Sequence, residues 1–176
     1  MKKTPIPEVL IASDAIARRV REMGEHIRAD YADRELTVVG VLRGSFIFMA
    51  DLVRAIDGTL SCDFLGLSSY GSATQTSGVV AITKDLDGPV EGKDVLVIED
   101  IIDTGLTMAY LLENLKTRKP HSVKIASLLS KPSRRKVEVD IDYLGFTIQD
   151  RFVVGYGLDY AGLYRNLPFI GVLPSA

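Results

Sequence analysis

The chain holds a single cysteine, Cys62, in 176 residues. One thiol excludes an internal disulfide framework and any zinc site built on cysteine. Net charge is nearly absent: 21 Lys and Arg stand against 23 Asp and Glu, for a formal total of −2. That balance speaks against bulk nucleic acid or an anionic membrane as partner, though not against a local basic patch. No apolar run approaches the roughly 18 residues that a membrane-crossing helix needs. The opening Met1-Lys2-Lys3-Thr4-Pro5-Ile6-Pro7 lacks the apolar region that a secretory signal places behind its lysines. The Gly-x-x-x-x-Gly-Lys-Ser/Thr phosphate loop is missing, and Gly155, Gly157 and Gly162 are wrongly spaced for a dinucleotide fingerprint. What is present is 47% apolar and 25% charged, the composition of an ordinary globular protein. At this length a chain buries about 70% of its extended surface, so its core needs no metal or disulfide. The expectation is one soluble, cytoplasmic domain over residues 1–176, with neither membrane nor nucleic acid among its partners.

Periodicity supplies the elements. Ile16, Val20, Met23, Ile27 and Tyr31 recur at helical spacing, with Ser13 or Asp14 placed to cap. Leu36 to Leu42 is short, β-branched and almost wholly apolar, as a strand covered on both faces must be. Arg43-Gly44-Ser45 breaks it, and Phe46 to Ile56 resumes as an apolar helix. Leu60 to Tyr70 and Val79 to Thr83 read as strands around the small polar loop Gly71 to Gly78. Val95 to Ile98 is a second continuous apolar strand, followed by a helix from near Thr104 with Met108, Leu111, Leu112 and Leu115 inward. Val123 to Leu129, Asp142 to Ile148, Phe152 to Tyr156 and Phe169 to Leu173 complete the strands. The basic run Arg134-Arg135-Lys136 reads as a solvated turn, and the pair Arg18-Arg19 as a candidate oligomer contact. Strands alternating with helices predict an α/β fold with a mainly parallel, twisted sheet flanked by helices.

Chemistry concentrates in Val95 to Thr107. A buried strand there brings two adjacent carboxylates, Glu99 and Asp100, to its carboxyl end, where open α/β sheets place ligands. Asp103, Thr104, Gly105 and Thr107 then open a helix, whose free N–H groups and positive dipole hold phosphate. Glycine lets the backbone come close, and threonine hydroxyls add donors. Any one acidic cap would be ordinary. Three carboxylates beside a Thr-Gly-x-Thr turn describe a site for a phosphorylated sugar.

The run Val97 to Thr107 resembles the signature of type I phosphoribosyltransferases, which bind 5-phosphoribosyl-1-pyrophosphate (PRPP). Leu42-Arg43-Gly44-Ser45, Ser68-Ser69-Tyr70, Ser127 to Lys131 and Phe152 to Tyr160 match, in order, the purine-salvage, hypoxanthine-guanine branch of that family. The resemblance implies a small hood from the chain ends, a flexible lid at Gly71 to Gly78, and a homodimer or homotetramer. It implies that the substrates are PRPP and a 6-oxopurine base, with Mg2+ as cofactor. Glu99 and Asp100 match residues near the ribose hydroxyls, and Asp103, Thr104, Gly105, Leu106 and Thr107 the 5′-phosphate loop. Arg43, Gly44, Ser69, Tyr70 and Arg165 match contacts to the pyrophosphate region. Asp103 matches the general acid or base near purine N7. Ile101, Lys131, Phe152, Val153 and Asp159 match the purine pocket, where Lys131 would donate to the exocyclic O6. Glu99, Asp100 and Asp159 match the carboxylates near Mg2+. Two departures stand out: Leu106 replaces a lysine found in some relatives, and Arg43 replaces another. The competing readings are a PRPP-fold regulator binding RNA or protein without turnover, and an enzyme preferring xanthine.

Overall fold

A computed structural model describes residues 6–69 and 80–173. The chain opens with β1 (Glu8–Ile11), α1 (Ser13–Tyr31), β2 (Leu36–Leu42), α2 (Phe46–Ala55), β3 (Leu60–Ser69) and β4 (Val80–Lys84). It continues with β5 (Asp94–Ile102), α3 (Leu106–Thr117), β6 (Ser122–Ser130), a 3-10 turn (Pro132–Arg134), β7 (Tyr143–Thr147), β8 (Val153–Val154) and β9 (Ile170–Val172). Six strands form one sheet in the order β4-β3-β2-β5-β6-β7, parallel except for β4. The short strands β1, β9 and β8 form a second, antiparallel sheet from the two chain ends, which is the expected hood.

The continuous apolar strands are explained by cover on both faces. Leu96 and Ile98 of β5 pack with α1 and α2, while Val95 and Val97 pack with α3. The five helical-spacing positions of α1 are all buried, and Leu111 and Leu115 of α3 are fully so. Each such side chain contributes about 1.5–3 kcal/mol relative to exposure. No helix among the described residues is long and apolar enough to cross a membrane.

Several local expectations are corrected. Helix α1 begins one residue early, with Ala12 at the N-cap and Asp14 in the first turn. Strand β1 falls in a proline-flanked, largely exposed stretch with no period-2 alternation, so its sequence carries no strand signal. The strand expected over Phe152 to Tyr156 shrinks to Val153–Val154, because Gly155 and Leu158 exchange backbone hydrogen bonds (3.0 and 3.1 Å) and turn the chain. Arg19 also has a role within the chain: its Nη2 donates to the Leu144 carbonyl at 2.6 Å and covers edge strand β7. The Gly71 to Gly78 lid lies outside the described residues.

Candidate active site

From β2 the chain proceeds to β3 and β4 on one side, and from β5 to β6 and β7 on the other. Between the carboxyl ends of β2 and β5 the winding reverses, the place where open α/β sheets bind ligands. A cleft of about 540 Å³ opens there. Its walls include Arg43, Gly44, Glu99, Asp100, Ile101, Asp103, Thr107, Lys131, Phe152, Val153, Asp159 and Arg165, all expected from the sequence.

At the end of β2 the Leu42–Arg43 peptide is cis. Ser45 ties the turn by donating its buried hydroxyl to the Val41 carbonyl at 2.6 Å. Gly44 has a reason the sequence did not reveal: a Cβ there would fall 1.6 Å from Asp100 Oδ2. Behind it, a Cβ on Gly157 would fall 2.0 Å from the Gly44 carbonyl oxygen. Two turns and the end of β5 meet here with no room for a side chain at either glycine.

At the end of β5 the carboxylates are partly held by the backbone. The Asp100 N–H donates to Glu99 Oε1 at 3.2 Å, and the Ile101 N–H to Asp100 Oδ1 at 2.9 Å. Burial of the Glu99 carboxyl, and then the Asp100 charge beside it, pushes Glu99 well above the usual carboxylate range. A smaller adjoining cavity of about 90 Å³ is lined by Glu99, Asp103, Thr104, Gly105 and Thr107. Gly105 caps α3 at φ +83° and offers no side chain to its first-turn N–H groups. Thr104 Oγ1 accepts from the Leu106 N–H only at 3.4 Å. These donors face an anion-sized space. Leu106 itself, as the first residue of α3, lines neither cavity.

The opposite end is apolar with a buried cation. Lys131 is 6% exposed, and its N–H donates to the Ile102 carbonyl at 3.0 Å. Phe152 is 57% exposed and meets Tyr160 edge-on, ring centroids 5.6 Å apart. Between the ends, Arg165 Nη2 lies 2.7 Å from Asp159 Oδ1, while its Nη1 donates to the Gly157 carbonyl at 2.6 Å. The Gly162 N–H donates to Asp159 Oδ2 at 2.7 Å.

Two site residues escaped sequence reasoning. Arg134 does not end in a purely solvated turn: its Nε lies 3.0 Å from Asp103 Oδ1, and its Nη1 donates to Asp150 Oδ1 at 3.4 Å. Arg134 and Asp150 both line the large cleft. Ser69 ends β3 opposite Val80, with its side chain outside the described part, and Tyr70 lies outside the described residues altogether. Among the described residues, no three His, Cys, Asp or Glu side chains converge to hold a metal by themselves.

The sequence matches the phosphoribosyl transferase domain family over residues 10–161, and the chain belongs to that family. It is 52% identical over 176 residues to the hypoxanthine-guanine phosphoribosyltransferase of Bacillus subtilis, covering all of this chain and 98% of that protein. The enzyme of that name from Staphylococcus epidermidis is 51% identical over 170 residues, or 97% of this chain and 95% of that one. A solved hypoxanthine phosphoribosyltransferase of Staphylococcus aureus superposes at a TM-score of 0.93, with 46% identity over 99% of this chain and 97% of that one. The hypoxanthine-guanine phosphoribosyltransferases are therefore the branch within which this enzyme falls.

Proposed function

We propose that this enzyme transfers the 5-phosphoribosyl group of PRPP to hypoxanthine or guanine, giving IMP or GMP and pyrophosphate. The observation that carries this reading is the cleft at the sheet's reversal point with the small cavity beside it. Together they gather a helix-capped anion-sized space, the carboxylates Glu99, Asp100 and Asp103, and a buried lysine.

In this reading the 5′-phosphate takes the N–H groups of residues 104–107, while Glu99 and Asp100 accept from the ribose hydroxyls. Arg43 and Arg165 face the pyrophosphate, and guanidinium suits phosphate geometry. The purine stacks on Phe152, its edge read by the Val153 backbone and its flank packed by Ile101. Lys131 donates to O6, which hypoxanthine and guanine carry and adenine lacks; a pocket built to bond one polar atom rejects bases without it. As the purine N9–C1′ bond forms, the C1′–O bond breaks and its electron pair leaves on pyrophosphate. The N7 proton passes to the Asp103 carboxylate, and the sugar passes through an oxocarbenium-like state.

The donor chemistry fits Mg2+. Asp100 and Asp159 both line the cleft and would offer hard oxygen ligands, Asp159 by exchanging its present partners Arg165 and the Gly162 N–H. Among the described residues they close no protein cage. Mg2+ favours a few carboxylates completed by water and substrate phosphates. Bound there, it would supply positive charge to the leaving pyrophosphate, with Glu99 nearby.

The assembly is a separate proposal, a homodimer or homotetramer, tested by sedimentation of the purified chain. The reaction is tested by pyrophosphate release. With PRPP and Mg2+ present, release should require hypoxanthine or guanine and should not follow adenine. Release independent of the base contradicts the assignment.

A further inference from the structure

Arg134 and Asp150 join the two ends of the purine pocket, and neither has a part in the reaction as set out so far. Arg134 follows Lys131 by one 3-10 turn, so its backbone is fixed where β6 leaves the sheet. From there its guanidinium reaches Asp103 across 31 positions of sequence, with Nε 3.0 Å from Oδ1. Asp103 Oδ1 is buried yet accepts no aligned hydrogen bond, so this contact is one of charge rather than of a directed N–H. Oδ1 is therefore held in place and closed off, while the side chain as a whole stays 36% exposed and lines the cleft, which leaves Oδ2 to meet an incoming N–H. On its outer side Arg134 bonds Asp150, whose Oδ1 also stands 4.0 Å from Lys131 Nζ. The order is Asp103, Arg134, Asp150, Lys131: the proton acceptor at one end and the O6 donor at the other.

We propose that Arg134 is a positioning residue of the transfer reaction, resting on the function proposed above. It keeps the Asp103 carboxylate turned into the purine pocket, and Asp150 anchors Arg134 and spaces it from Lys131. When Asp103 takes the purine proton it loses its charge. The guanidinium then retains Asp150 as its anion, shared with Lys131. Because a misplacement of about 1 Å can cost about 10²-fold, a carboxylate freed from this contact loses turnover without losing the substrate.

The test is a double-mutant cycle on the full chain, with initial rates for hypoxanthine and PRPP. Arg134→Gln should lower kcat about tenfold or more, part of the about 10²–10⁴-fold that a placed acid or base supplies. KM for PRPP should stay within about twofold. Arg134→Lys should recover part of the loss, and Asp150→Asn should lower kcat less than Arg134→Gln. In an Asp103→Asn background, Arg134→Gln should change kcat by less than about twofold, because the group it positions is gone. An equal loss in both backgrounds means that Arg134 acts through packing alone, and overturns the proposal. So does unchanged kcat in Arg134→Gln, or a loss confined to the KM of PRPP. A wild-type chain that forms no nucleotide overturns the proposed function itself, and this proposal with it; wild-type turnover paired with an indifferent Arg134 overturns this one alone.

Discussion

Asp103 and Lys131 are linked through Arg134 and Asp150 in one pocket wall, and their substitutions have separable effects. Asp103→Asn keeps the side chain's size and removes its capacity to take a proton at neutral pH. It should lose about 10²–10⁴-fold in kcat with PRPP affinity largely retained, as comparison of kcat with a PRPP titration will establish. Lys131→Met keeps the buried stem and removes the donor to O6, so the preference for hypoxanthine over adenine should collapse; an unchanged preference would refute its role. Both residues were legible in the sequence, because each lies inside a motif whose neighbours point to the same chemistry. Arg134 and Asp150 were not. Each is a charged residue in a polar stretch, which on its own reads as solvated. Their meaning depends on a 3-10 turn folding residue 134 back over residue 103, which spacing does not encode. Gly44 was legible as a residue that must be small, but not for the neighbour that makes it so, the Asp100 carboxylate.

The strand-turn-helix from β5 to α3 was the most readable element, since a buried apolar run followed by a capping turn admits few other structures. What the sequence did not show is how the turn is held from outside. The Lys136 and Val137 N–H groups both donate to the Thr104 carbonyl, at 2.9 and 3.1 Å, so the segment after β6 clamps the turn that opens α3. Gly105 stands at φ +83°, and a Cβ there would fall 2.2 Å from the Val137 carbonyl oxygen. Gly105→Ala therefore meets both backbone strain, roughly 1–2 kcal/mol for a residue with a Cβ, and a backbone clash. The expected outcome is a lowered melting temperature together with a raised KM for PRPP, because the same shift displaces the phosphate donors. Thermal melts and steady-state rates on one preparation check both. The hood was the least readable element. Its strands hold two to four residues each, and β1 and β9 find each other only because the chain ends meet in space.

At the scale of the molecule, a formal charge of −2 conceals a division within one cleft. Arg43, Lys131, Arg134 and Arg165 stand among Glu99, Asp100, Asp103, Asp150 and Asp159. This arrangement sets function against stability in the free protein. Glu99 is raised above its ordinary value near 4.5, by burial and by Asp100. A raised carboxyl favours folding at pH below the unfolded value, and that contribution is lost as pH rises through the folded one. Glu99→Gln should therefore raise the melting temperature of the free protein at neutral pH and flatten its decline with pH, while weakening PRPP binding. For a chain of this size about 1 kcal/mol corresponds to roughly 2–4 °C, so melts across pH will resolve it. The central claim is the transfer itself. Incubating the protein with PRPP, Mg2+ and equimolar hypoxanthine, guanine, xanthine, adenine and uracil, then resolving the nucleotides by chromatography, tests it most directly. IMP and GMP should dominate, with one pyrophosphate released per nucleotide; the absence of any nucleoside monophosphate would contradict the account and favour a PRPP-binding protein without turnover.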